Sequence, residues 1–106
     1  MLNRRNLYVI MDTKIDIIKA AVVSGSTNIS EIASQKIAKQ AKEKAQTGNI
    51  VAISMDGVSS MSLDASTLLC SQLLSNQELA KRILIEGGTP YINQIIRAGI
   101  RNAKRK

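Results

Sequence analysis

Any chemistry in this chain has to come largely from one stretch, "MDGVSSMSLDASTLL", from Met55 to Leu69. It carries hydroxyls at Ser59, Ser60, Ser62, Ser66 and Thr67, carboxylates at Asp56 and Asp64, and a thiol at Cys70 directly after it. A serine hydroxyl becomes a nucleophile when a neighbouring base takes its proton, and it also accepts a phosphoryl group or caps a helix. Paired carboxylates hold a divalent cation or divide acid and base work between them. The chain has no histidine, which removes every imidazole-based triad and the commonest metal ligand. It has no Gly-rich phosphate-binding motif either. Two aspartates flanking a turn are then a turn residue and a helix-dipole partner, and a lone cysteine beside leucines is a buried structural thiol. The sequence predicts neither an enzyme nor a metal or cofactor site.

Bulk composition narrows the remaining choices. The chain has 106 residues and is 44% hydrophobic, the size and composition of one globular domain. With two tyrosines, no phenylalanine and no tryptophan, the core must be built from Ile, Leu, Val, Ala and Met. One cysteine forms no internal disulfide, which fits a reducing cytoplasm. No apolar run approaches the roughly 18–20 residues that cross a bilayer, and the N-terminus lacks a signal-peptide pattern. The net charge is +7. Lysines cluster at Lys36, Lys39, Lys42 and Lys44, and cations crowd the end at Arg97, Arg101, Lys104, Arg105 and Lys106. Such a balance permits contact with nucleic acid or an acidic partner without demanding it.

The hydroxyl-rich stretch must be positioned by its neighbours. Residues 14–23 are β-branched and favour a strand, although a helix from Asp12 also fits the spacing. Residues 1–13 read as an N-terminal arm or a first strand. After the loop 24–27, Asn28 with Glu31 has the form of a capping box. Ile29, Ile32, Ala33, Ile37, Ala41 and Ala45 then mark a helix ending near Gly48. "NIVAISM", residues 49–55, is a short buried strand. Ala65, Leu68, Leu69 and Leu73 mark a helix over 63–74, one or two turns follow from Asn76, and "RILIEGG" is another strand. Thr89 caps a last helix with Pro90 at its first position and Ile92, Ile95, Ile96 and Ile100 inside. Strands joined through helices are parallel. The expected fold is α/β: a single-layer mixed, mostly parallel sheet with helices packed on one face, one domain over 14–106.

This order places the opening stretch in the loop from a strand to a helix, at the carboxyl ends of parallel strands, where ligands and partners usually dock. Ser62 is well placed as N-cap, with Asp64 in the first turn. The stretch "VAISMDGVSSMSLDASTLL" resembles the central part of STAS domains, the sulfate-transporter and anti-sigma-factor-antagonist family, and most of all its divergent bacterial group. The parts are the strand Val51 to Met55, Asp56, the pair Gly57-Val58, Met61, and the hydroxyl-rich helix start Ser62 to Leu69. "RILIEGG" and the isoleucines of the last helix agree, so the resemblance covers about residues 14–103. It implies a regulatory protein–protein interaction module, an anti-sigma-factor-antagonist-like protein whose partner is a kinase-like ATPase or another regulator. In the antagonists an Asp-Ser pair opens this helix and the serine is phosphorylated. Here Ser62 falls at the aspartate position and Leu63 at the phosphoacceptor. Either Ser62 or Ser66 takes that role, or the binding surface persists without phosphoregulation, which is the reading favoured here.

Two functions therefore compete. In the first, a protein partner docks on Asp56, Gly57, Ser59, Ser60, Ser62, Asp64 and Ser66, with Ser66, Ser71, Gln72 and Ser75 as the polar back of the helix. In the second, Lys36, Lys39, Lys42, Arg97, Arg101, Lys104, Arg105 and Lys106 contact nucleic acid phosphates, non-specifically, since stacking aromatics are nearly absent. Neither reading involves a membrane, and both leave self-association open.

Overall fold

The computed structural model describes residues 15–105. The expected arm or strand at 1–13, and Lys106 at the other end, lie outside the described residues.

The sheet is α/β in the sense expected. Strand β1 is Ile15–Lys19, β3 is Ile50–Ser54 and β5 is Ile83–Glu86, ordered β1-β3-β5 with both pairings parallel. A second, two-residue parallel pairing joins β2, Asn28–Ile29, to β4, Ser60–Met61. Helix α2, Glu31–Gln46, crosses from β1 to β3, and α3, Leu63–Leu74, with the single turn α4, Gln77–Ala80, crosses from β3 to β5. Helix α5, Pro90–Lys104, closes the chain. Two right-handed crossovers taken in the same direction across a sheet put their helices on one face. The core agrees: Ile18, Val51, Ile53, Met55 and Ile83, alternating along the strands, form one cluster with Ile37, Leu69, Leu73, Ile92 and Ile96 from the helices. The other face shows Ile15, Ile17, Ile50, Ala52 and Leu84, none of which belongs to that cluster.

Residues 14–23 are not one strand. The strand stops at Lys19, and Ala20–Ser24 form a short helix, α1, closed by Gly25 in the left-handed region at φ 68°. Only Ala20 of that helix is buried, while Val22 is exposed, so the β-branched run answers no sheet contact after Lys19. Local β preference loses to the need to turn the chain back over the sheet.

The start of α2 also differs. Ser30, not Asn28, is the N-cap, and its hydroxyl accepts the Ala33 N–H at 3.1 Å. Asn28 is drawn into β2, where its side-chain oxygen accepts the Ser60 hydroxyl at 2.8 Å. Ser30→Ala should cost about 1 kcal/mol, and Asn28→Ala only a few tenths, as expected of an exposed side-chain contact. Urea midpoints of the two variants check this, and a larger loss at Asn28 would restore the cap read from the sequence. The helix's buried face is shifted for the same reason. Ile32 is 69% exposed, while Ser34 is buried and donates to the Ala65 carbonyl at 2.9 Å.

Helix α3 has the expected bounds, with Ser62 as N-cap. It lies between α2 and α5, which pack on its two sides. Ser34 ties it to α2, and the Ser66 hydroxyl, donating to the Ile95 carbonyl at 2.8 Å, ties it to α5. Ser66 and Cys70 therefore share its buried face with Ala65, Leu69 and Leu73, whereas Leu68 is only half-buried. No helix among the described residues is long and apolar enough to cross a membrane.

Candidate functional site

The site is the rim where the parallel strands end. Helices that cross between parallel strands run back against them, so the N-termini of α2, α3 and α5 gather there. Strand β3 leaves the sheet at Ser54 into a turn closed by the Val58 N–H donating to the Met55 carbonyl at 3.1 Å. Gly57 occupies the third position of that turn at φ 83°, the type II geometry that disfavours any side chain. The turn is pinned from below by Val58 and Met61, both buried. On one flank Ser59 and Ser60 donate their backbone N–H groups to the Thr27 carbonyl at 2.8 and 3.3 Å. On the other, an Asp56 carboxylate oxygen accepts the Gly88 N–H at 3.0 Å, joining the turn to the β5–α5 loop. A Cβ at Gly88 would approach the Met55 Cβ to 3.0 Å, so that loop is built around a bare backbone.

The predicted residues separate into two groups. Asp56, Gly57, Ser59, Ser62 and Asp64 are exposed and Ser60 is partly so, all at this rim. The Ser62 hydroxyl is committed as a cap, accepting the Ala65 N–H at 3.1 Å. Ser66 is the correction: at 0% exposure, facing α5, it is out of reach of a partner or a kinase. The polar back expected from Ser66, Ser71, Gln72 and Ser75 is correspondingly narrower. Ser71 and Gln72 are half-buried between the flanking helices, and only Ser75 is fully open.

The sequence also left residues out of the site. Thr27 and Asn28 hold one flank, and Gly87 and Gly88 the other, brought alongside only by sheet pairing across β3 and β5. The glycine pair signals a turn in the sequence, yet nothing there says which loop it meets.

Charge is uneven around this rim. Glu31 and Asp64 lie in the first turns of α2 and α3, where they complement the helix dipoles, Asp56 lies in the turn after β3, and β5 and β1 end on Glu86 and the exposed Lys19. Glu31 and Asp64 border a recess of about 390 Å³ together with Thr67, Leu68 and Ser71. Among the described residues no three His, Cys, Asp or Glu side chains converge on a point that could hold a metal. The thiol of Cys70 is buried, and burial pushes it up from 9.0 to about 11, partly opposed by a hydrogen bond with Ser66. It therefore stays protonated and unreactive at neutral pH. Because the unfolded thiol ionises first, its contribution turns against the fold as pH rises from about 9 towards 11.

The second set of predicted contacts is not brought together. Lys36, Lys39 and Lys42 are on α2 and Arg97, Arg101, Lys104 and Arg105 are at α5, with α3 between the two helices. No protein-family model, curated protein or solved structure matches the chain.

Proposed function

We propose that this protein is a small regulatory interaction module of STAS-like type that docks a protein partner on the rim formed by residues 56–64. One observation carries the reading. The hydroxyl-rich turn exposes Asp56, Gly57, Ser59 and Ser62 yet is held from beneath by Val58 and Met61 and from both sides by Thr27 and Gly88. A surface fixed in this way loses little conformational entropy on binding. Small hydroxyl side chains also let another backbone approach without a large charge to desolvate. The exposed acidic groups around the turn, Glu31, Asp56 and Asp64, favour a neutral or basic partner surface. A kinase-like ATPase or another regulator in the cytoplasm fits the resemblance in the central stretch. Phosphoregulation is not part of the proposal, because Leu63 stands at the acceptor position, Ser66 is buried and Ser62 serves as the cap.

Exposed substitutions test this without disturbing the fold. Ser59→Arg and Asp64→Lys change the rim while leaving Gly57 and the Ser62 cap intact. Proteins retained on the immobilised wild-type chain should fall at least about tenfold on either variant, a loss near 1.4 kcal/mol, with unchanged melting curves. Lys39→Glu, on the outer side of α2, should retain them. Equal retention by the wild type and both rim variants would remove this surface from the function.

A further inference from the structure

We infer that the solvent face of α5 binds the phosphate backbone of a nucleic acid, independently of the rim. From Pro90 to Lys104 this helix contains no aspartate or glutamate. At 3.6 residues per turn, Arg97, Arg101 and Lys104 fall within a sector of about 60°, with Gln94 beside them. All four are exposed, while Ile92, Ile96 and Gly99 on the other side are buried. Among the described residues none of these cations is in an ion pair.

The lysines of α2 make no such ridge. Lys36, Lys39, Lys42 and Lys44 spread over roughly 200° of the helix circumference, and Glu43 stands among them. Helix α3, between the two, offers no cation of its own. The basic residues of the sequence thus resolve into one coherent stripe and one diffuse helix.

The chemistry of the stripe favours phosphate over other anionic partners. From Arg97 to Lys104 it runs about 10 Å along the axis, which spans about three phosphates on one strand of a duplex. The arginine fork matches phosphate oxygens in pairs. The C-terminal end of the helix dipole is about half a negative charge, outweighed there by Arg101, Lys104 and Arg105. Arginines also anchor protein interfaces, and binding to polyglutamate is the outcome of the test that would assign the stripe to an acidic protein surface instead. A bilayer would need the helix's apolar face, which is already committed to the core.

Fluorescence anisotropy with a labelled duplex DNA and a labelled single-stranded RNA, titrated with salt, tests this. Binding should weaken with a log–log slope near −3, about −0.9 for each of three phosphates on duplex DNA. Arg97→Ala with Arg101→Ala should lower the affinity more than tenfold and make the slope shallower by about 2. Lys36→Ala with Lys39→Ala, and separately Asp64→Lys at the rim, should leave it within about twofold. Circular dichroism confirms that each variant is folded. The assignment is overturned by no binding at low salt, by equal losses from the α2 and α5 pairs, or by equal, equally Arg97-dependent binding to polyglutamate or phosphatidylserine vesicles. Since the rim variant is read in the same assay, failure here leaves the docking proposal standing and the reverse also holds.

Discussion

Replacing Gly99 with alanine should lower the melting temperature, although alanine is the better helix former. In an exposed helix the exchange gains about 1 kcal/mol. Here α5 passes so close to α3 that a Cβ at Gly99 would meet the Ser66 hydroxyl and come within 2.8 Å of the Ser66 carbonyl carbon and 2.9 Å of its oxygen. Two of those three atoms are backbone, so the helices have to move apart. Separation loosens the packing and strains the Ser66–Ile95 hydrogen bond between them. Overpacking of this kind costs about 1–3 kcal/mol and sometimes more, enough to outweigh the propensity gain. We expect a net loss of about 1–2 kcal/mol for Gly99→Ala and about 3 kcal/mol for Gly99→Val. Adding Ser66→Ala to Gly99→Ala should recover only part of it, because the backbone contacts remain. Thermal and urea denaturation of the three variants measure this. A rise in stability on Gly99→Ala would show that the two helices do not touch at this point.

The second large effect separates two adjacent leucines. Leu69→Ala should cost about 3–4 kcal/mol, since the side chain is fully buried among α2, α5 and the sheet and its removal leaves a cavity. A domain of this size is stable by about 5–15 kcal/mol, and each kilocalorie moves its midpoint by about 4–8 °C. The variant should therefore melt about 12–32 °C lower. Leu68→Ala should cost about 1 kcal/mol or less, because that side chain is half-buried beside the recess shared with Glu31 and Asp64. Periodicity alone put both leucines on one stripe. Equal losses at the two positions would contradict the placement of α3 between its neighbours.

Much of the scaffold was legible from residue types. The run 49–55 is short, apolar and bounded by Gly48 and Gly57, and it contains the central strand, Ile50–Ser54. Ser62 and Thr89 each cap the helix they were expected to cap, because a side-chain oxygen three residues before a free N–H is a purely local match. The exposure of Asp56, Gly57, Ser59 and Asp64 followed from their place after a strand. The failures share a different cause. Asn28 and Ser30 are both competent caps, and the choice fell to Ser30 because Asn28 pairs with Ser60, far along the chain. Ser34 and Ser66 look like surface residues in the sequence. Both are buried, since each finds a backbone carbonyl on a neighbouring helix that satisfies its hydroxyl.

By itself, then, the amino-acid order determined most element types and two of the principal helix caps, which depend on interactions within a few residues, and the alternation of strands and helices implied the parallel α/β architecture. Tertiary structure alone decided which hydroxyls face water, which glycines admit a neighbouring backbone, and that the cationic side of α5 is the side left to solvent. The reason is physical: periodicity describes one element about its own axis, but burial depends on how many neighbours press on it and from which sides. Helix α3 is enclosed on two flanks rather than one, and that single fact moved Ser66 from the docking surface into the core.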